Sequence, residues 1–194
     1  MHIIKLSKSS IYKRERPKKT STARLATEPD QEVISVYIDG ACEGNHQKNA
    51  SFRRGGYGVW FGDGDERNFG GRLPGIPTNN RAELYSLLAL FKFLKKEQPN
   101  YQQCFYKIYT DSKYTCTVVS QVDSWQKKGW KNASRKTPEN IDLVRELHEE
   151  KPNFNFHMIH VAGHAGIIGN EGADSLARQG CNSEVEATTT ATTL

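Results

Sequence analysis

Between residues 33 and 73, three stretches have the hydrophobic pattern of β-strands. Residues 33–42 alternate well enough for one strand, and residues 56–61 and 67–73 look like two more. The residues between these last two strands, Gly62-Asp63-Gly64-Asp65, are a strong turn signal. Strands joined by short turns predict that the fold opens with an antiparallel meander.

The period then changes to that of a helix. Apolar residues fall on one helical face, and the opposite face also carries apolar residues at Ala82, Tyr85, Ala89 and Phe93. We therefore predict a helix that is buried on most sides and ends before Pro99. The residues of the first face are Leu84, Leu87, Leu88, Phe91 and Leu94.

In the second half, strands alternate with helices. An aromatic and β-branched run at 105–110 predicts a buried strand that ends in an acid, Asp111. Such alternation after a meander predicts an α/β protein, with a five-stranded mixed sheet of antiparallel and parallel strands flanked by helices. The other predicted elements are helices at 112–121, 138–150 and 170–179, a strand at 153–160 and a Gly-rich loop at 162–169.

Length and charge indicate one folded domain with a tail at each end. The chain has 194 residues, and we expect the domain at 33–181, with disordered tails at 1–32 and 182–194. The net charge is +5, yet residues 1–27 alone carry eight Lys or Arg and one acid. These residues therefore sum to +7, which leaves −2 for the rest of the chain.

The N-terminal segment bears on location. No apolar run approaches the roughly 18 to 20 residues that cross a bilayer, so we expect an intracellular protein without a membrane partner. The basic cluster at 13–19 favours the nucleus, while an acid-poor, Arg-containing N-terminus is typical of a mitochondrial address. A mitochondrial or cytoplasmic location therefore stays open.

Four acids occupy comparable settings in distant parts of the chain. Each has an ordinary explanation: Asp39 precedes a glycine in a turn, Glu83 completes a capping box with Asn80, Asp111 caps a helix, and Asp174 lies early in a helix. However, Asp39, Glu83 and Asp111 adjoin strongly apolar elements, where unpaired carboxylates repel each other and lose hydration. A divalent cation resolves both problems. Oxygen-only ligands favour Mg²⁺, with Mn²⁺ as a substitute, and two such ions are typical of nucleases.

The motifs around these acids resemble ribonuclease H of type 1, in the form found in eukaryotes. The likeness covers residues 33–180, and the acids appear in the order that the family has. It rests on IDGAC at 38–42, TNNRAEL at 78–84, YTDS at 109–112, HVAGHAG at 160–166 and GNEGADSLA at 169–177.

This resemblance implies a role for each acid. Asp39 would bridge two metal ions, Asp174 would complete the site that activates water, and Glu83 with Asp111 would complete the site near the leaving 3′ oxygen. His164 matches the mobile histidine of the family, which helps proton transfer or product release; the alternative is a loop histidine without a function. Gly163 and Gly166 fit a loop that moves.

The resemblance also implies substrate contacts. Asn45, Asn79 and Asn80 match positions that contact sugars and base edges, which suits recognition of 2′-hydroxyls. Thr78 and Asn140 match a pocket for a phosphate of the DNA strand, but Ile76 stands where an Arg is often found.

The segment 125–136 matches the basic protrusion of the family. It contains Trp125, Lys127, Lys128 and Trp130 and no acid. Interleaved aromatic and basic residues suit stacking on sugars beside phosphate contacts. The alternatives are a solvated charged face and, for Trp130, a core anchor.

We therefore expect a monomeric endonuclease that hydrolyses the RNA strand of RNA–DNA hybrids with two Mg²⁺ ions and leaves 5′-phosphate and 3′-hydroxyl ends. The alternatives are a non-catalytic hybrid-binding module and a nuclease that cuts DNA on the same fold. Residues 1–32 are too short and polar for the separate hybrid-binding module of many eukaryotic relatives, which predicts less processive cutting.

Overall fold

The fold is built on one five-stranded mixed sheet. The computed structural model describes residues 31–183. The spatial order is β3-β2-β1-β4-β5, in which the first three strands are antiparallel and β4 and β5 run parallel to β1. This confirms the predicted meander and the mixed sheet. The strands are β1 (Val33–Glu43), β2 (Arg54–Trp60), β3 (Phe69–Arg72), β4 (Phe105–Thr110) and β5 (Asn155–His160).

Four helices pack around this sheet within the described residues: α1 (Asn79–Glu97), α2 (Lys113–Lys127), α3 (Ile141–Glu150) and α4 (Ile168–Asn182). Helix α4 packs on β1, β2 and β3, whereas α1 packs on β1 and β2 and also contacts α2 and α3. Successive side chains of β1 face these two helices in turn. Ile38 joins the core beneath α1, and Tyr37 packs against Gly169 of α4.

Helix α1 forms the centre of the hydrophobic core. Leu84, Leu87, Leu90 and Phe91 are at most 1% exposed, and Tyr85 packs against the same core from the side. The apolar residues on both faces of the predicted helix are thus explained by burial on most sides. The helix ends at Glu97, before Pro99, as predicted.

Several predicted boundaries were wrong by a few residues. Helix α2 continues past 121 to Lys127. Val122 is fully buried and Trp125 also packs against the core, so the last turns of the helix are stabilised by tertiary contacts. Helix α3 begins at Ile141 rather than at Pro138, after Asn140 in a left-handed conformation. Helix α4 begins at Ile168 and includes Asn182, and β3 is shorter than the predicted 67–73.

The start of α1 differs from the predicted capping box. The N-cap is Thr78, whose hydroxyl accepts a hydrogen bond from the Arg81 N–H at 3.2 Å. Asn80 is therefore inside the helix, and Glu83 does not serve the cap.

Within residues 31–183, no helix is both long enough and apolar enough to cross a bilayer. The predictions for the N-terminal segment up to Asp30 and for 184–194 fall outside the described residues.

We predict that Gly40→Ala destabilises the protein, because β1 and α1 touch at Gly40. A Cβ atom there would lie 2.1 Å from the carbonyl carbon of Ala82 and from the backbone nitrogen of Glu83. Backbone on both sides must move, so the free energy of unfolding should fall by about 2 to 4 kcal/mol in urea titrations.

The matched control is Gly62→Ala, where the nearest atom to the added Cβ is the Cβ of Asp65 at 3.8 Å. That variant should unfold within about 0.5 kcal/mol of the parent protein. Equal stability of the two variants would show that α1 and β1 are not in close contact at Gly40.

Candidate active site

The four predicted acids line one cavity of about 390 Å³. Asp39 lies in β1, Glu83 in α1 and Asp174 in α4, and Asp111 directly follows β4; His164 lines the same cavity. A larger groove of about 710 Å³, between α2 and β5, contains none of these acids. The residues that sequence reasoning selected for chemistry are thus neighbours in space.

The parallel pairing of β1 with β4 brings Asp39 and Asp111 together. Tyr37 is paired with Tyr109, and two residues further along the chain are Asp39, within β1, and Asp111, just past the end of β4. The side chains at i and i+2 share a face, so Asp39 lies on the same side of the sheet as Tyr37. Asp39 itself is only 7% exposed.

The close approach of α1 to β1 places Glu83 beside Asp39. Because Gly40 has no side chain, the backbone of Ala82 and Glu83 lies directly against it. The hydroxyl of Ser112 then donates a hydrogen bond to Glu83 Oε2. The same hydroxyl accepts from the Thr115 N–H at 3.0 Å as the cap of α2, so one buried side chain orients Glu83 and starts a helix.

Two glycines of β2 allow α4 to bring in Asp174. Cβ atoms at Gly56 and Gly58 would lie 2.1 Å from the Ala177 carbonyl oxygen and 2.2 Å from that of Ala173. Helix α4 therefore packs directly against the main chain of β2 at these two glycines. Both carboxylate oxygens of Asp174 accept from Arg178 Nε at 2.9 Å.

Asp111 is held by residues of the 160–170 segment. Asn170 Nδ2 donates to Asp111 Oδ2 at 3.1 Å, and a Cβ at Gly163 would lie 2.6 Å from that same oxygen. His160 Nε2 lies 3.1 Å from the Asp111 carbonyl oxygen. The exposed His164 follows Gly163 with a left-handed φ of 52°, at the mouth of the cavity.

Sequence reasoning missed Ser112, Asn170, His160 and Arg178 as partners of these acids. Three of them lie within the quoted motifs: YTDS contains Ser112, HVAGHAG contains His160, and GNEGADSLA contains Asn170. The helical spacing between Asp174 and Arg178 was also a usable signal, because side chains four residues apart are neighbours on a helix.

Burial and like charge dominate the electrostatics. Burial raises the pKa of Asp39 to about 8, and the charges of Asp111, Asp174 and Glu83 push it in the same direction, against a 2.7 Å hydrogen bond from the Gly40 N–H. Burial also raises the pKa of Glu83, with Asp111 adding to it and Ser112 opposing it.

The carboxylates are turned toward protein partners. In the described part of the chain, no three or more His, Cys, Asp or Glu side chains are grouped tightly enough to hold a metal ion as they stand. Asp174 faces Arg178, Glu83 faces Ser112 and Asp111 faces Asn170. Metal binding at this cavity would require these side chains to rotate.

The predicted sugar and phosphate contacts line a neighbouring pocket of about 570 Å³. Asn79 lines both cavities, and its backbone N–H donates to Asn45 Oδ1 at 3.2 Å, which ties the loop after β1 to the start of α1. Asn140 Nδ2 donates to the Tyr114 hydroxyl at 3.1 Å. The pocket also contains an unpredicted cation, Arg53, and its other lining residues are Thr78, Asn80 and Glu139.

In the basic segment, the tryptophans pack against the core and the lysines are exposed. Trp125 and Trp130 are partly buried against the core, and Trp130 meets His148 edge-on at 5.6 Å and Arg145 at 5.3 Å. The core-anchor alternative for Trp130 therefore has support. Lys127 and Lys128 are exposed, the first as the last residue of α2 and the second as its C-cap.

Comparison with known proteins agrees with this architecture. The family model described as RNase H matches residues 31–182. A solved structure of LC9-RNase H1, described as a type 1 RNase H with the type 2 active-site motif, superposes with a TM-score of 0.65 at 26% identity, over 82% of this chain and 76% of that one.

Two curated relatives extend the comparison. Ribonuclease H1 of Mus musculus is 37% identical over 150 residues, which are 77% of this chain and 50% of the mouse protein. The chain thus spans about half the length of that relative. Ribonuclease H of Methylobacillus flagellatus is 37% identical over 151 residues, 76% of this chain and 91% of the bacterial protein. The resemblance inferred from the motifs is confirmed, and the chain belongs to the RNase H family.

Proposed function

We propose that this protein is a metal-dependent endonuclease that hydrolyses the RNA strand of RNA–DNA hybrids and leaves 5′-phosphate and 3′-hydroxyl ends. The observation that carries the proposal is the meeting of Asp39, Glu83, Asp111 and Asp174 in one cavity of a chain that belongs to the RNase H family. Because like charges repel, four acids from distant parts of the sequence lose stability when they meet unless a cation joins them.

The donor chemistry of the cavity fits hard divalent cations. Its candidate ligands are carboxylates, and Asp39 is buried among charges of its own sign. Asp39, Glu83, Asp111 and Asp174 would hold two Mg²⁺ ions, with Mn²⁺ as a substitute. When bound, such ions supply positive charge that activates a water and stabilises the leaving oxygen.

The surrounding residues prepare the carboxylates for this role. Ser112 holds Glu83 and Asn170 holds Asp111 at the cavity, and both acids would have to turn from these partners toward the cations. Arg178 forms an ion pair with Asp174, and this pair would have to break before Asp174 could bind a cation. We assign His164, exposed at the mouth of the cavity, to proton transfer or product release.

Hybrid recognition would involve the pocket next to the acids. Asn45, Asn79 and Asn80 carry amides that both donate and accept, which suits contacts to 2′-hydroxyls and base edges in a minor groove. Thr78 and Asn140 would bind a phosphate of the DNA strand. Lys127 and Lys128 are exposed and free to approach a second stretch of backbone, while Trp125 and Trp130 support them from the core side.

Outside the site, the properties in question are the oligomeric state, the domain bounds and the location of the protein. We propose that it acts as a monomer, that its folded domain spans 33–181 and that the basic cluster at 13–19 directs it to the nucleus. That cluster lies outside the described residues.

We predict that Asp39→Asn and Asp111→Asn each abolish cleavage, because each removes a charge that the bound cations require. On a labelled hybrid in Mg²⁺, turnover should fall at least about a thousandfold, while binding measured by fluorescence anisotropy changes by less than about tenfold. Asp63→Asn, at an exposed turn, is the matched control and should cut at the parent rate.

The same assay separates the alternatives. A DNA-cutting nuclease would cleave duplex DNA of the same sequence, and a binding module would bind the hybrid in EDTA and cleave neither substrate. Mg²⁺-dependent cleavage by purified Asp39→Asn protein would overturn the proposed mechanism.

We also predict that without metal the protein loses stability as pH rises. The pKa of Asp39 is raised to about 8 in the folded state from an ordinary value of 3.8, so the folded protein holds a proton that the unfolded chain has released. Stability contributed by this proton is complete below about pH 4 and declines up to about pH 8, by at most about 1.4 kcal/mol per pH unit. The raised pKa of Glu83 acts in the same direction.

Urea unfolding in EDTA between pH 4.5 and 8.5 measures this slope. Asp39→Asn should flatten it and should be more stable than the parent by about 2 kcal/mol at pH 8. Added Mg²⁺ should stabilise the parent more than the variant, since only the parent keeps the full ligand set. A parent protein whose stability rises from pH 5 to 8 in EDTA would contradict the burial of Asp39 among like charges.

A further inference from the structure

Arg53 is the single cation among the residues that line the pocket beside the acids. It follows the short 3₁₀ turn Ala50–Phe52 and directly precedes β2, and its side chain is half-buried. Its guanidinium is held in place by main-chain carbonyls. Nε and Nη2 lie 2.8 Å and 2.5 Å from the Gln47 oxygen, and Nη1 lies 3.5 Å from the Pro77 oxygen.

These contacts fix the guanidinium without neutralising it. A guanidinium carries five N–H donors, and the three contacts leave two of them for a ligand. Within residues 31–183, Arg53 forms no ion pair. Arg81, the nearby basic residue of α1, is by contrast engaged with Asp142 at 2.9 Å and 2.5 Å. Arg53 therefore keeps its charge available to an anion.

The rest of the pocket suits a phosphate. The Thr78 hydroxyl and the amides of Asn79 and Asn140 are neutral donors, and the pocket lies at the positive end of the 19-residue helix α1. One acid, Glu139, also lines it, but it is exposed, and its main-chain carbonyl accepts from the Tyr114 hydroxyl at 3.1 Å. Ile76 is 68% exposed at the position where the family resemblance leads one to expect an Arg.

We propose that Arg53 binds a phosphate of the DNA strand in this pocket and supplies the cation that Ile76 does not. The cation thus comes from the loop before β2 instead of the segment before α1. This inference rests on the proposed function, because a hybrid substrate provides the phosphate.

The test compares Arg53→Gln with Arg54→Gln, its neighbour, which is exposed and does not line the pocket. Hybrid affinity is measured by fluorescence anisotropy in EDTA over a range of KCl concentrations, and KM and kcat are measured in Mg²⁺. Arg53→Gln should weaken binding about tenfold, raise KM more than it lowers kcat, and reduce the slope of log Kd against log salt by about 1. Arg54→Gln should stay within about twofold of the parent.

A second variant separates phosphate binding from a merely structural role, since Arg53 also links the Gln47 and Pro77 segments. Ile76→Arg in the Arg53→Gln background should restore most of the affinity and the salt slope. If Arg53 only tethers these segments, the double variant will stay weak, and the salt slope of Arg53→Gln will equal that of the parent. Either result overturns the proposal.

The strand is identified with hybrids that carry one neutral methylphosphonate at successive positions. One position in the DNA strand should weaken binding to the parent but not to Arg53→Gln; sensitivity confined to the RNA strand would refute the assignment. Absence of cleavage by the parent protein would defeat the proposed function, whereas unchanged binding by Arg53→Gln in an active enzyme would defeat only this inference.

Discussion

Asp39 is buried beside Glu83, Asp111 and Asp174, so at neutral pH the metal-free fold keeps a proton on Asp39 that the unfolded chain releases, and this lowers the stability. The fold tolerates this arrangement through local partners: Gly40 N–H for Asp39, Ser112 for Glu83, Asn170 for Asp111 and Arg178 for Asp174. The hydrogen bond from the Gly40 N–H does not offset burial and the neighbouring acids, which raise the pKa of Asp39 to about 8. Under the proposed function, divalent cations would displace this proton and offset the charge of the four acids.

The glycines make this crowding geometrically feasible. Glycines on adjacent strands allow α1 and α4 to approach the sheet at backbone contact, one at Gly40 and the other at Gly56 and Gly58. Any side chain at these positions would push a helix outward and carry its acid away from Asp39. The positions of Glu83 and Asp174 thus depend on the absence of a side chain on a facing strand.

The sequence predicted the sheet, its mixed pairing and the convergence of the acids better than it predicted the ends of helices. Strand alternation and the jointly occurring motifs carry long-range information, because parallel strands align their carboxyl ends. The end of α2 was mispredicted because Trp125 stands among polar residues in the sequence. Its contact with the core, which extends the helix, forms only in the folded chain. Ser112 and Asn170 both belong to the quoted motifs. Their partners, Glu83 and Asp111, lie 29 and 59 residues away in sequence, so the contacts are apparent only in the folded chain.

The role of Arg53 could not be predicted from the sequence, for a different reason. It lies in a polar loop with no motif, and its importance arises because Gln47 and Pro77 carbonyls aim its guanidinium into the pocket. Position rather than residue type gives it a role: Arg54, the next residue, is exposed on β2 outside the pocket. The acids would bind cations at the point of cleavage, while Arg53 and the exposed lysines would bind phosphates around it. A negatively charged substrate can therefore approach a centre of carboxylates, because the flanking cations offset the repulsion before the centre is reached.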